Sequence, residues 1–220
     1  KFPLYADYAK ATITDLFDAS TLSKTKVITA NTFQSATLIN NGTGPWKLMP
    51  LPTEAQFAPL YGILVNDYDE DGIEDALFTG NFYGTEVISG RYDAFKGLFL
   101  KGKGDGNFIA EDNKFRVDGD GKGFAEILVN KTPVVLAALN NDSLKAFELP
   151  AENKTRIWKA KPGDVYMIIK MENGKQMRRE FYYGSGYLSS TGRYARIPAK
   201  AKSVEVFNSK GEKRTLSPGF

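Results

Sequence analysis

The residues best suited to chemistry form an acidic stretch in the first half of the chain. Asp67, Asp69 and Asp71 stand at the first, third and fifth places of a loop, with Gly72 at the sixth and Asp75 at the ninth. When the backbone curls, alternate side chains turn inward together, and a glycine permits the sharp turn that makes them converge. Six acidic residues fall within nine positions, so their mutual repulsion calls for a counter-ion. Oxygen ligands of this kind favour a hard cation, and Ca²⁺ fits best.

The loop differs from an EF-hand in two respects. Its twelfth place, where an EF-hand has a bidentate glutamate, is Phe78. The flanking segments 61–65 and 76–79 are short and apolar, which predicts strands rather than helices. An acidic, solvated hairpin turn that binds nothing is the alternative interpretation. For the metal site, Asp75 is expected to close the ligand set, which comprises Asp67, Asp69, Asp71, the Ile73 carbonyl and Asp75.

The loop motif Asp-x-Asp-x-Asp-Gly-x-x-Asp, with a predicted strand on each side, resembles the FG-GAP/VCBS repeats of β-propeller proteins. Segments 80–84, 90–100 and 102–108 resemble further pieces of such a blade, and segments 40–44 and 51–56 resemble the end of a preceding one. The family with the closest likeness is the large, surface-associated FG-GAP/VCBS proteins of Bacteroidetes-type bacteria. Those proteins carry an ASPIC/UnbV-like module at the C-terminus.

The last third of the chain has its own resemblance. Residues 184–190, Gly-Ser-Gly-Tyr-Leu-Ser-Ser, are similar to the Gly-Tyr-Leu-Ser signature of the ASPIC/UnbV module. Phe207 replaces the Trp that this module commonly carries, and its Gly-Leu-Gly turn is not visible. Turn signals at 173–174 and 209–211 lie between alternating runs and predict two hairpins.

The distribution of charged residues divides the chain between residues 153 and 154. Residues 1–153 hold 14 basic and 21 acidic side chains, whereas residues 154–220 hold 15 basic and 5 acidic ones. Such a shift predicts a domain boundary. The fold class expected from the many glycines and aromatic residues is all-β. The resemblance implies a partial β-propeller of about three blades in 1–153 and a small, β-sandwich-like module in 154–220.

The first forty residues are expected to begin with a helix. Apolar residues of segment 5–17 fall near one helical face, which predicts a short amphipathic helix packed on a sheet. Segments 26–30 and 35–39 are predicted to be strands. Three blades cannot close a ring, so the missing partners are expected from a longer polypeptide, another chain or a second copy. A longer parent protein is favoured because Lys1 is not a natural start.

Composition excludes several classes of enzyme. The chain has no Cys and no His, which removes thiolate nucleophiles, disulfides, His-based triads and the usual zinc sites. A second acidic stretch at 118–123 carries Lys122 at its fifth ligand place, so no second metal is expected there. The other acidic candidates, namely Glu54, Glu86, Asp93 and Glu126, show no identifiable pairing, and the trio Arg91, Tyr92 and Asp93 is typical of a locked turn.

The predicted function is therefore a non-catalytic, calcium-stabilised binding or scaffold module. The alternative is a carbohydrate-active or other hydrolytic enzyme, which needs a concave pocket with two carboxylates ~5–10 Å apart. The resemblance implies an extracytoplasmic location, at the cell surface, associated with the outer membrane, or secreted. It also implies a protein or glycan partner and the remainder of a larger propeller polypeptide. No apolar run is long enough to span a membrane, and the scattered basic residues do not favour nucleic acid.

Overall fold

The computed structural model describes residues 1–111, 115–149, 155–186 and 189–216. Strands hold 43% of the chain and helices 9%, which confirms the all-β prediction. Contacts divide the chain into two compact units, residues 1–33 and residues 34–220. The strands are β1 (Ala36–Ile39), β2 (Lys47–Pro50), β3 (Leu60–Asn66), β4 (Asp75–Gly80), β5 (Leu98–Gly102), β6 (Phe108–Glu111), β7 (Gly121–Val129), β8 (Thr132–Leu139), β9 (Lys145–Glu148), β10 (Thr155–Lys159), β11 (Asp164–Met171), β12 (Gln176–Glu180), β13 (Tyr194–Pro198), β14 (Ala201–Asn208) and β15 (Lys213–Thr215).

The first unit contains three short helices, and the prediction of a single helix over 5–17 is wrong. The helices are α1 (Tyr5–Tyr8), α2 (Ile13–Leu16) and α3 (Ala19–Lys24), and none has a buried residue. α2 begins as a separate helix at a capping box formed by Thr12 and Asp15. The Thr12 N–H and hydroxyl donate to the Asp15 carboxylate at 2.8 and 2.7 Å.

The strand predicted at 26–30 is also absent from the structure. Val27 and Ile28 are each 83% exposed and lie in irregular backbone. A β-strand needs a neighbour to satisfy its backbone groups, and this segment has none among the strands of the structure. The strand predicted at 35–39 is present as β1, which pairs with β2.

The acidic stretch lies in a four-stranded antiparallel sheet in which β3, β4, β5 and β6 are neighbours in chain order. Alternation places Leu77 and Phe99 on one face and Phe78 and Leu98 on the other. A 3₁₀ helix (Thr53–Gln56) contributes the buried Ala55 to the second face. The acidic loop connects β3 to β4 at one end of this sheet.

A three-stranded sheet of β7, β8 and β9 shares a core with the first sheet. Leu77 and Phe99 of the first sheet belong to the same buried cluster as Phe124 and Val135 of the second. The backbones approach closely at glycines. A Cβ added to Gly121 would overlap the Thr79 hydroxyl.

The C-terminal strands form two further sheets, one of β10 with β13 and one in the order β12, β11, β14, β15. The two predicted hairpins are confirmed, since β11 pairs with β12 and β14 pairs with β15. A bidentate ion pair between the buried Asp164 and Arg214, with both N–O distances 2.6 Å, ties β15 to the start of β11. Burial acts to raise the pKa of Asp164, but the hydrogen bonds from Arg214 and the Lys161 amide outweigh it and hold that pKa below its usual value.

Two sequence predictions fall partly on residues outside the described ranges. The predicted boundary at 153–154 lies within 150–154, which the structure does not describe. The segment similar to the Gly-Tyr-Leu-Ser signature includes residues 187 and 188, which are likewise outside the described part of the chain.

Candidate functional site

The acidic loop is a tight turn between β3 and β4, whose ladder closes at the pair Asn66 and Asp75. Gly72 has a φ of 87° and Glu70 a φ of 62°, so the turn needs left-handed backbone at two positions. Glycine adopts this conformation without steric cost, which is why Gly72 permits the reversal.

Three of the predicted ligands converge. One carboxylate oxygen from each of Asp67, Asp69 and Asp71 lies within 4.8 Å of the others. Asp67 is only 5% exposed, and its Oδ2 accepts a hydrogen bond from the Gly72 N–H at 2.9 Å. Its Oδ1 is buried with no hydrogen-bond partner among the described residues. Burial raises the pKa of Asp67 to about 6, and the charges of Asp71, Asp75 and Asp69 add to that increase.

Asp75 is placed differently from the other three aspartates. It is fully buried and lies outside the group whose oxygens converge. Its Oδ2 accepts from the N–H groups of Tyr68 at 2.9 Å and Asp69 at 3.4 Å, and its Oδ1 accepts from the Gly102 N–H at 3.0 Å. Burial raises the pKa of Asp75, against the effect of these donors. Asp75 therefore anchors the start of the loop to the end of β5.

Ile73 follows the glycine of the turn. Its N–H donates to Asp71 Oδ1 at 2.9 Å, while the Asp71 N–H donates to Asp69 Oδ1 at 3.1 Å. These local bonds hold the aspartates of the loop in register with one another.

Lys101 contacts the acidic loop, which the sequence did not predict. Its Nζ contacts the Asp69 carboxylate and lies 3.0 Å from Asp71 Oδ2. Hydrogen bonds to Asp69 and then to Asp71 raise the pKa of Lys101. The lysine reaches the loop from β5, the second strand after the loop. One ammonium offsets only part of the charge of a loop with six carboxylates.

The C-terminal strands also contact the loop. The Thr155 hydroxyl donates to Glu70, and the Arg179 guanidinium pairs with Glu74. Burial lowers the pKa of Arg179, whose side chain is 14% exposed. The loop is thus in contact with both β10 and β12.

A cleft of about 490 Å³ lies beside these contacts. Six consecutive residues of β3, 61–66, form one border, and residues 178–182 of β12 and its exit form the other. Consecutive residues of a strand point to opposite faces, so a border of this kind is the edge of the strand.

The carboxylate buried deepest in the cleft is Glu126, and it is held by three donors. It accepts from the Tyr194 hydroxyl, from the Tyr68 hydroxyl at 3.2 Å and from Arg196 Nη2 at 3.3 Å. Burial and the charge of Glu126 raise the pKa values of Tyr68 and Tyr194, so both tyrosines stay protonated donors. The Arg196 guanidinium also lies 5.5 Å from the Tyr68 ring centre.

The other carboxylates considered for catalysis do not line this cleft. Glu54, Glu86 and Asp93 are exposed on the surface. Arg91 lies 5.0 Å from the Tyr83 ring centre, and both residues line a second depression. In the second acidic stretch, Lys122 Nζ lies 2.6 Å from Asp120.

Comparison with known proteins found no matching family model and no matching curated protein. In the part of the chain that the structure describes, no helix is long and apolar enough to cross a membrane. The likeness to FG-GAP/VCBS repeats and to the ASPIC/UnbV module remains a prediction from the sequence.

Proposed function

We propose that this protein is a non-catalytic binding or scaffold module whose acidic loop holds a structural Ca²⁺ ion. One observation carries the proposal. Three aspartate oxygens meet within 4.8 Å, and the buried Asp67 keeps one oxygen without a hydrogen-bond partner among the described residues. A buried anionic oxygen without a partner is costly unless a cation compensates it.

The donor set fits calcium better than a softer metal. The converging ligands are carboxylate oxygens, and backbone carbonyls and water commonly complete the six to eight ligands that Ca²⁺ takes. Asp67, Asp69 and Asp71 would bind the ion directly, and Ile73 could add its carbonyl. Asp75 would act by holding the loop against β5, as its bonds to backbone amides suggest.

A bound ion would stabilise more than the loop itself. The loop joins β3 to β4, is anchored to β5 through Asp75, and contacts β10 and β12 through Glu70 and Glu74. A cation that neutralises the charge of the loop would therefore help to hold these strands together. The proposed location is extracytoplasmic, as the resemblance of the sequence implies.

The wider proposal is that the two adjacent sheets are blades of a partial β-propeller and that the chain recognises a protein or glycan partner. The four-stranded order β3, β4, β5, β6 and the shared core with β7–β9 support it. Paired-carboxylate hydrolysis is disfavoured by ion pairing. The carboxylates that line the cleft, Glu74, Glu126 and Glu180, each lie against an arginine.

Calorimetric titration with Ca²⁺ tests the proposal. The metal-free protein should bind one ion, and at calcium a hundredfold above Kd the free energy of unfolding should rise by about 2.7 kcal/mol. The Asp69→Ala variant should lose this binding. Asp105→Ala is the matched control, because Asp105 lies in an exposed turn and bonds only to Asn107 among the described residues. A melting temperature that chelator leaves unchanged in metal-loaded protein would contradict the proposal.

A further inference from the structure

The cleft lies between two strand edges that have no partner strand in the described part of the chain. There, β3 pairs only with β4, and β12 pairs only with β11. The cleft is bordered by residues 61–66 on one side and 178–182 on the other. An unpaired edge presents backbone N–H and C=O groups, which are a ready template for another extended chain.

The β3 border is apolar. Tyr61, Ile63 and Val65 are 43%, 54% and 56% exposed, at alternate positions of the strand. Their spacing matches that of side chains on one face of an added strand. Three large apolar side chains in a row on an edge strand are costly to leave in water, and a ligand with apolar groups at the same spacing would cover them.

The opposite side of the cleft is cationic. Four arginines of the C-terminal part of the chain line the cleft against three glutamates, each of which is paired with one of those arginines. The fifth basic residue of the cleft, Lys122, lies on the β3 side, over the Tyr61 ring, and pairs with Asp120. Arg178 is the most accessible of the paired arginines, since its side chain is 57% exposed. Its Nε donates to Glu180 at 2.6 Å, and its guanidinium carbon lies 3.8 Å from the centre of the Tyr166 ring. Guanidinium groups bind carboxylates strongly because they donate in a fixed, planar geometry.

We propose that the cleft binds an extended acidic peptide segment, with apolar residues at alternate positions, which adds as a strand to the free edge of β3. The apolar side chains cover Tyr61, Ile63 and Val65, and the carboxylates face Arg178. This rests on the proposed function, because it names the partner class of the binding module. The two proposals rest on different residues, since the calcium ligands Asp67, Asp69 and Asp71 lie outside the cleft.

An acidic peptide fits these features better than an acidic glycan. A glycan can pair with arginines, but it has no backbone amides to match the edges of β3 and β12. It also has no side chains at the two-residue spacing of Tyr61, Ile63 and Val65. Edge pairing and alternation are properties of a polypeptide strand.

The first test uses a fluorescent peptide of about eight residues that alternates glutamate and valine, since such a peptide spans the length of β3. Fluorescence anisotropy should show saturable binding that weakens with salt. A peptide that alternates lysine and valine should not bind. If only a sulfated glycan polymer binds, and Arg178→Ala weakens it, the cleft is a glycan site and the peptide proposal is wrong.

Substitutions, each with a matched control, test whether the peptide binds in the cleft. Arg178→Ala should weaken peptide binding by roughly fivefold to tenfold. Arg116→Ala is its matched control, because Arg116 is 59% exposed and pairs with Asp118 at 2.7 Å in the same i, i+2 arrangement. Ile63→Glu should abolish binding through charge repulsion, whereas Ile109→Glu should not. Ile109 is 41% exposed on β6, the opposite edge of the same sheet.

Amide hydrogen exchange separates strand addition from simple charge attraction. Peptide binding should slow exchange within residues 61–66. Binding without protection of that segment would overturn the proposal. The Asp69→Ala variant keeps the two proposals apart. If Asp69→Ala loses calcium binding but still binds the peptide, the cleft proposal is supported. If calcium-loaded wild-type protein does not bind the peptide, only the cleft proposal is overturned.

Discussion

Lys101 shares the carboxylates that a metal would use. Its Nζ contacts Asp69 and lies 3.0 Å from Asp71, so the lysine and a metal ion compete for the same oxygens. The Lys101→Met variant keeps the aliphatic stem and removes the positive charge. We expect its Kd for calcium to fall by about tenfold, because the loop gains one net negative charge close to the ion. Calorimetry measures the change.

Lys103→Met is the control for this experiment. Lys103 is exposed and lies two residues further along the chain. Its substitution should leave the calcium Kd unchanged. If Lys101→Met loses stability and binds calcium no more tightly, Lys101 is itself the counter-ion of the loop, and the metal proposal is wrong.

At the level of single residues, local spacing predicted the convergence of Asp67, Asp69 and Asp71 but not the separate position of Asp75. The convergence of Asp67, Asp69 and Asp71 follows from alternation and one glycine, all within a few residues. Lys101 lies 32 residues from Asp69, and Arg196 lies 70 residues from Glu126. The first contact depends on the pairing of β5 with β4, and the second on how two sheets pack, neither of which a local pattern specifies. Tyr68 offered a weak signal, because an aromatic residue inside an acidic loop is unusual unless it is packed.

The contact between sheets depends on the absence of a side chain at Gly121. An added Cβ would overlap the Thr79 hydroxyl and lie 3.0 Å from the Thr79 Cβ, and Thr79 is fully buried. We expect Gly121→Ala to lower the free energy of unfolding by about 2–3 kcal/mol, because a close-packed core cannot absorb the extra methyl group. Urea unfolding measures the difference.

Gly184→Ala is the matched substitution. A Cβ at Gly184 meets nothing within 4 Å, and its φ lies outside the left-handed region. Its unfolding midpoint should equal that of the wild type. Equal midpoints for both variants would mean that the two sheets are not packed as closely as Gly121 and Thr79 indicate.

At the scale of elements, β3 and β4 were predictable because short apolar runs flank the acidic loop, and the two C-terminal hairpins because alternating runs flank a turn signal. The failures were in segments whose structure depends on something beyond the pattern. Thr12 and Asp15 interrupt a helical pattern through a capping box. Segment 26–30 has the composition of a strand, but no strand of the described residues pairs with it.

Within residues 34–220, the acidic loop, which joins β3 to β4, contacts the C-terminal strands through Glu70 and Glu74. We expect calcium to slow amide exchange in β12 as well as in the loop, because Arg179 of β12 pairs with Glu74. Mass spectrometry of exchanged peptides measures this. Glu74→Gln should keep the protection of the loop and lose that of β12. Protection confined to the loop in the wild type would show that the ion does not couple the two parts.

The pairing of Glu70 with Thr155 also bears on the order in which the protein assembles. Thr155 follows Glu70 by 85 residues, and Arg179 comes later still. Domains form from the N-terminal side during synthesis, so the acidic turn is complete while its distant partners have yet to leave the ribosome. In that interval the like charges of the turn repel one another without the offset that Arg179 supplies to Glu74. The direction of translation thus places the charge-neutralising contacts of the C-terminal strands last.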